Sequence, residues 1–151
     1  MRAPRGGDVE VLAELRAEVM RADLERLGRY DDRRVRQRLS DSFSAAYSSV
    51  LEDRGQVVGC FTLRPDGNGL MLEHFYLAAA YQGRGIGSRV LRGVLKRAEA
   101  QGVSVRLVVL RGSAAQRLYE RYGFTVEDLG EVDVSMVRAP GSALLPESVD
   151  S

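Results

Sequence analysis

A glycine-rich bend near the middle of the chain carries the clearest chemical signal. It runs from Gln82 to Ser88 and places Gly83, Gly85 and Gly87 between an apolar, strand-like run and an amphipathic, helix-like run. Three glycines in five residues leave the backbone uncovered, so its N–H groups can point at an anion. A helix that begins there adds unpaired N–H groups and the positive end of its dipole. The spacing predicts a site for a diphosphate group.

Two common phosphate-binding patterns do not fit this bend. A nucleotide P-loop needs a Lys followed by Ser or Thr after its last glycine, and no such pair follows Gly87. A Rossmann fingerprint needs the spacing Gly-x-Gly-x-x-Gly near a first strand. Here the glycines alternate and lie in mid-chain, so neither fold is predicted.

The residues on both sides of the bend predict the elements that hold it. A strand over 70–77 leads into the bend, and a helix over 85–100 leaves it. A largely apolar strand over 103–110, expected to be covered on both faces, and a short helix over 113–122 come next. The helix after the bend repeats apolar residues on one face: Ile86, Val90, Leu91, Val94, Leu95 and Ala98.

The remaining pattern predicts helices first and then an antiparallel meander. A helix over 8–27, with Asp8 as its N-cap, precedes a charged helix from Asp31 or Asp32 to Leu39. Strands over 44–51 and 56–63 flank a turn at 53–55, and two short strands over 124–126 and 132–137 end the fold. Residues 2–4 are a candidate stub of an extra strand. We therefore expect an α/β fold with a mixed sheet, in a single domain over 1–138 with a loose tail over 139–151.

Composition narrows the functional classes. The chain has 151 residues, 44% of them hydrophobic and 28% charged, which is typical of one globular domain. Its net charge of +1 gives no general attraction for nucleic acid or membrane. No apolar run approaches the ~20 residues of a membrane span, and the N-terminus does not read as a secretory signal. With Cys60 as the only cysteine, we expect a cytoplasmic protein without an internal disulfide.

Two motifs in order resemble those of the GNAT superfamily of acetyl-CoA-dependent N-acetyltransferases. The first is Gln82-x-x-Gly85-x-Gly87 after a strand; the second is the segment 113–124, SAAQRLYERYGF, after the next strand. The resemblance covers residues 50–137. It implies a GNAT-type fold, in which an antiparallel meander is followed by splayed parallel strands with helices on both faces. It also implies acetyl-CoA as cosubstrate. No metal is expected, because one His and one Cys cannot assemble a typical structural zinc site and no acidic cluster resembles a metal cage.

The resemblance assigns cofactor-binding roles to two parts of the chain. In such proteins the pantetheine arm pairs with the strand end at 75–77, and the pyrophosphate lies on the amides of 83–88. Ser113 stands where many relatives place an asparagine that helps to hold pantetheine, and Arg117 would reach the nucleotide phosphates. The implied cofactor-binding residues are Phe75, Tyr76, Leu77, Gln82, Gly83, Arg84, Gly85, Ile86, Gly87, Ser88, Ser113 and Arg117.

Acetyl transfer to an amine needs a proton donor for the departing thiolate and an acceptor for the amine proton. Tyr119 matches the tyrosine that the family places near the cofactor sulfur, and packing alone is its alternative role. Glu73 is the candidate base, with substrate binding as its alternative; some relatives rely on water instead. Strict alternation in the strand places Glu73 on the face of Phe75 and opposite His74 and Tyr76. His74 is interpreted as structural.

The acceptor is not named by the sequence. Residues 15–44, the part that varies most in the family, contain acidic, aromatic and many arginine side chains. These suit a cationic amine, a carboxylate-bearing acceptor or plain surface ion pairs. We predict transfer to a primary amine on a small molecule or a protein, with a non-catalytic acyl-CoA-binding module as the alternative. A nucleic-acid partner is disfavoured, and homodimers are common in the family. Cys60 is expected to be buried and inert.

Overall fold

A computed structural model describes residues 1–141. Most of the predicted tail, residues 142–151, lies outside the described residues. The elements are α1 (Asp8–Arg26), α2 (Asp32–Ser42), β1 (Ser48–Asp53), β2 (Gln56–Asp66), β3 (Gly69–Leu77), α3 (Ile86–Gln101), β4 (Val105–Leu110), α4 (Ala114–Arg121), β5 (Thr125–Leu129) and β6 (Asp133–Arg138). The strands form a six-stranded mixed sheet in the order β1-β2-β3-β4-β6-β5. The predicted mixed α/β fold is confirmed.

The chain divides into two compact units, and the division falls within β3. The first unit comprises residues 1–64 and 73–82, and the second comprises 65–72 and the described residues from 83 to 141. The first unit therefore contains α1, α2, β1, most of β2 and the end of β3. The second contains the start of β3, α3, β4, α4, β5 and β6.

The first unit has a core of apolar side chains from both helices and two strands. Its fully buried members include Leu12 of α1, Leu39 of α2, Val50 of β1 and Cys60 of β2. The predicted stub before α1 is confirmed, because Arg2 forms an antiparallel bridge with Val50.

Asp8 does not cap α1, so that prediction is wrong. Gly7, at φ 88°, is the residue before the helix. The Asp8 carboxylate instead accepts hydrogen bonds from the Arg2 guanidinium at 2.8 and 3.0 Å and from the Arg5 amide at 2.7 Å. The cap is displaced because this carboxylate ties the N-terminal stub to the helix.

The two turns of the meander are tighter than the sequence pattern indicates. Arg54 (φ 52°) and Gly55 (φ 79°) make a two-residue turn that pairs Asp53 with Gln56. β2 continues to Asp66, so only 67–68 connect it to β3. β1 begins at Ser48 rather than 44, because residues 45–47 form a 3₁₀ turn.

In the second unit, β4 joins a parallel and an antiparallel ladder. Leu70–Leu72 of β3 pair with Val105–Leu107, and the whole of β4 pairs with β6. Its first four side chains alternate between buried and exposed, and Val108 is 56% exposed. The expectation of a strand covered on both faces is therefore wrong. An apolar run indicates a strand, but it does not show whether other elements pack against both of its faces.

Candidate functional site

The glycine-rich bend forms the start of α3 in the second unit. Gly83 and Gly85 have φ values of 72° and 79°, a left-handed backbone that favours glycine. The first hydrogen bond of the helix runs from Arg89 N to Gly85 O at 3.1 Å. Within residues 1–141, the amides of Ile86 and Gly87 have no backbone acceptor. These N–H groups are the donors that the sequence predicts for an anion.

Phe75, Tyr76, Leu77 and Gln82 lie in the first unit, at and after the end of β3. The Gln82 side-chain amide donates to the Leu77 carbonyl at 2.8 Å, which closes the connection over 78–81. Beside the strand end, a Cβ added at Gly59 would lie 2.5 Å from the Tyr76 carbonyl oxygen. Only glycine allows β2 this close to the backbone that is predicted to pair with pantetheine.

The strict alternation predicted for β3 is wrong at His74. This residue has φ 48°, a left-handed conformation that is uncommon for a non-glycine residue. Its carbonyl accepts a hydrogen bond from the Cys60 thiol at 3.0 Å. Burial raises the pKa of Cys60 to about 12, so this thiol stays protonated near neutral pH.

Glu73 of β3 is paired with a basic side chain of the neighbouring strand. Its carboxylate forms a two-pronged ion pair with Arg64 of β2, with Nε–Oε1 at 2.8 Å and Nη2–Oε2 at 3.2 Å. The two side chains are 36% and 27% exposed for Arg64 and Glu73 respectively. Both carboxylate oxygens accept from Arg64, so this charge-assisted pair fixes the orientation of the Glu73 side chain. The sequence reasoning missed this partner, which neighbours Glu73 only through the β2–β3 hairpin.

The second motif folds into α4 of the second unit. Ser113 is its N-cap, and the hydroxyl oxygen accepts from the Gln116 amide at 3.1 Å. Tyr119 is 6% exposed, with its ring centroid 5.5 Å from that of Phe124. Arg117 is exposed on the same helix and makes a 3.4 Å contact with the Gly112 carbonyl. The cap uses one of the two lone pairs of the Ser113 oxygen, so the hydroxyl keeps its hydrogen and one further lone pair.

A polar cluster in the first unit was missed by the sequence reasoning. The Arg16 guanidinium of α1 donates to the Tyr76 hydroxyl at 2.8 Å and to the Val35 carbonyl of α2. His74 lies 3.3 Å from the same hydroxyl through Nδ1 and 2.8 Å from Ser42 Oγ through Nε2. Burial is the main reason why the pKa of His74 lies below its ordinary value, and the Arg16 charge lowers it further. Sequence does carry one signal: Arg16 follows Leu12 by four residues and so falls within the apolar stripe of α1.

Residues 1–141 contain no group of three or more His, Cys, Asp or Glu side chains arranged to hold a metal. No helix within the same range is long and apolar enough to cross a membrane. A cleft of about 450 Å³ lies in the second unit, where 66–69 and 102–104 line it with Arg106 and Pro140. No predicted site residue contributes to that cleft.

Comparison with solved structures identifies proteins of the same fold. The PaiA N-acetyltransferase of Thermoplasma acidophilum, in complex with coenzyme A, is 21% identical with a TM-score of 0.71, covering 91% of this chain and 96% of its own. The ribosomal-protein-S18-alanine N-acetyltransferase of Escherichia coli is 16% identical with a TM-score of 0.66, covering 97% and 96%. A GNAT family acetyltransferase of Elizabethkingia anophelis with acetyl-CoA bound is 19% identical with a TM-score of 0.56, covering 68% and 82%.

The family assignment comes from the sequence itself. Comparison with curated proteins finds no significant match. The model of the acetyltransferase (GNAT) family matches residues 12–124, which include the bend at the start of α3 and the α4 motif. The match covers well over half of the chain and agrees with the resemblance drawn from the two motifs. The chain therefore belongs to the GNAT acetyltransferase family.

Proposed function

We propose that this protein is an N-acetyltransferase that moves the acetyl group of acetyl-CoA to a primary amine. The amine nitrogen attacks the thioester carbonyl directly in a ternary complex, the C–S bond breaks, and the sulfur leaves as a thiol. The acceptor is a small molecule or a protein. Family membership and the coenzyme A complexes of structures with the same fold support the use of an acyl-CoA.

The bend at the start of α3 is the observation that carries this proposal. Left-handed glycines at 83 and 85 uncover the backbone, and the amides of Ile86 and Gly87 are free of backbone acceptors within residues 1–141. These amides would bind the diphosphate of the coenzyme together with the positive end of the helix dipole. Phe75 to Leu77 lie beyond the last pair of the parallel ladder, Leu72 with Leu107. Their backbone would receive the two amides of pantetheine.

Two side chains would move protons. Tyr119 would protonate the leaving sulfur, because a phenol with an ordinary pKa of ~10 keeps its proton at neutral pH and is close in acidity to an alkyl thiol. Glu73, oriented by Arg64, would accept the amine proton directly or through water. The ion pair with Arg64 would hold the carboxylate in a defined position.

Calorimetric titration is the direct test. We expect acetyl-CoA and CoA to bind and pantetheine, which lacks the diphosphate, to bind at least ~100-fold more weakly, in line with the loss of several charge-assisted hydrogen bonds. Equal affinity for CoA and pantetheine would contradict the role of the bend. An amine panel with a thiol-release readout would then test the transfer itself.

The Glu73–Arg64 ion pair also favours a second candidate, an acyl-CoA-binding module without catalysis. Both oxygens of this carboxylate accept from Arg64, and an ion pair of this kind can hold two strands together without any transfer of protons. Tight binding of acetyl-CoA with no amine-dependent release of thiol, over a panel that covers amines, amino acids and peptides, would support this alternative.

A further inference from the structure

The Arg16 guanidinium is a buried cation without a protein counter-charge. Arg16 is 8% exposed. Within residues 1–141, its hydrogen-bond partners are a neutral hydroxyl and a carbonyl, and no carboxylate lies within ion-pairing distance. Arginine does not lose its proton in proteins, so burial cannot neutralise this side chain as it neutralises a lysine. Buried charges are otherwise paired, because an unpaired charge of this kind is costly.

Two acidic residues that could balance the charge of Arg16 are paired with other arginines. Glu73 is the acidic residue whose charge acts on the neighbouring His74 and Tyr76, but its carboxylate is bound to Arg64. Glu14 of α1 is paired with Arg36 at 2.6 Å. The ring of Tyr76 lies 5.9 Å from the Arg16 guanidinium carbon, which adds a cation–π contact but no negative charge.

One edge of the guanidinium remains open. Nε and Nη1 donate to Tyr76 and Val35, whereas Nη2 has no acceptor among residues 1–141. No fully buried side-chain nitrogen in this range lacks a partner, so Nη2 is reached by solvent. A planar donor group that is fixed on two sides and open on the third is already oriented for an anion.

We propose that Arg16 binds a carboxylate of the acceptor, so that the protein acetylates small-molecule amines that also carry a carboxylate, such as amino acids. The inference rests on the proposed transferase activity and adds the acceptor class. A carboxylate matches the geometry of the guanidinium and supplies the missing negative charge. The hydrogen bonds from Arg16 to α2 and β3 would hold the side chain in place before the acceptor arrives.

The test compares each amino acid with its amide and with its decarboxylated amine, for example lysine with cadaverine and phenylalanine with phenethylamine. We expect kcat/KM to be at least ~10-fold higher for the acids. In Arg16→Gln this preference should fall by roughly 10- to 100-fold, with little change for the amines that lack a carboxylate. Arg33→Gln, which removes an exposed arginine of α2, should keep the preference.

Other outcomes separate the inference from the proposed function. If the wild type prefers the amides or decarboxylated amines, or if folded Arg16→Gln loses activity equally on all three, the inference is overturned while the transferase stands. If acetyl-CoA does not bind, the proposed transferase function is contradicted, whatever the role of Arg16. If Arg16→Gln does not fold, Arg16→Lys, which keeps the charge but loses the planar fork, should weaken the preference several-fold. If no amine is turned over, the melting temperature of the CoA-loaded protein is measured with and without amino acids. Amino acids should raise the melting temperature of the wild type and not that of Arg16→Gln. Equal shifts in the two proteins would refute the inference.

Discussion

Arg64 of β2 and Glu73 of β3 form a two-pronged ion pair between neighbouring strands, at 2.8 and 3.2 Å. If Glu73 accepts the amine proton, Arg64 positions it. We expect Glu73→Gln to lower kcat by about 100-fold, the usual worth of a general base. Arg64→Gln should lower kcat by roughly 10-fold, and the double variant should be no worse than Glu73→Gln because the two residues act together.

The chain offers a matched control for this pair. Arg106 and Glu127 form a similar two-pronged contact between strands, at 3.1 Å for both bonds, and neither is a predicted site residue. Arg106→Gln should leave kcat unchanged. Additive losses from Arg64→Gln and Glu73→Gln would mean that Arg64 does not act through Glu73. An equal loss from Arg106→Gln would mean that the effect of Arg64→Gln is a general consequence of removing an ion pair between strands.

Tyr122 provides a matched control for the predicted role of Tyr119. Both lie near the end of α4 and are buried, at 6% and 3% exposure. Tyr119→Phe should reduce kcat by ~100-fold or more and leave the dissociation constant of acetyl-CoA nearly unchanged, because only the proton donor is lost. Tyr122→Phe should retain kcat. Similar rates for the two variants would assign Tyr119 a packing role.

Alanine variants of Gly83 and Gly93 distinguish an effect on the geometry of the bend from an effect on helix propensity. A Cβ would meet nothing within 4 Å at either position, but Gly83 has φ 72°. Gly83→Ala should therefore strain the bend by about 1–2 kcal/mol and weaken CoA binding. Gly93→Ala lies within α3 and should stabilise the fold by about 1 kcal/mol without changing affinity. Calorimetry and thermal unfolding check both; unchanged CoA affinity in Gly83→Ala would argue against the bend as the diphosphate site.

The only histidine gives a pH dependence of known sign. Burial first, and then the Arg16 charge, hold the pKa of His74 below its ordinary 6.5, while the Glu73 charge opposes them. Below pH 6.5 the unfolded chain binds a proton that the folded chain resists, so the contribution of His74 to stability is complete above that pH and is lost as the pH falls.

The control for this prediction is His74→Asn, because asparagine tolerates the left-handed backbone at this position better than most residues. Between pH 7.5 and 5.5, the melting temperature of the wild type should fall more than that of His74→Asn. Parallel curves for the two proteins would show that His74 titrates normally in the folded state.

Local patterns were sufficient for much of the fold. The amphipathic spacing of α3 and the turn at Arg54 and Gly55 were predicted close to their observed positions, because each depends on residues near in sequence. The bend was predicted for the same reason: glycines act through their own backbone. The sequence therefore determined most of the elements, the glycine-rich bend and the family.

Long-range contacts decided the rest. Asp8 reads as a helix cap from its neighbours, but Arg2 and Arg5 take its carboxylate. Glu73 reads as a free base until the β2–β3 pairing brings Arg64 beside it, and Arg16 reads as one of many surface arginines until α1, α2 and β3 enclose it. The sequence shows which side chains are charged. The counter-charge and the exposure of each one depend on which distant segments fold against it. The tertiary structure alone therefore decided which of these ionic groups are paired, and that no carboxylate within residues 1–141 pairs with the enclosed Arg16.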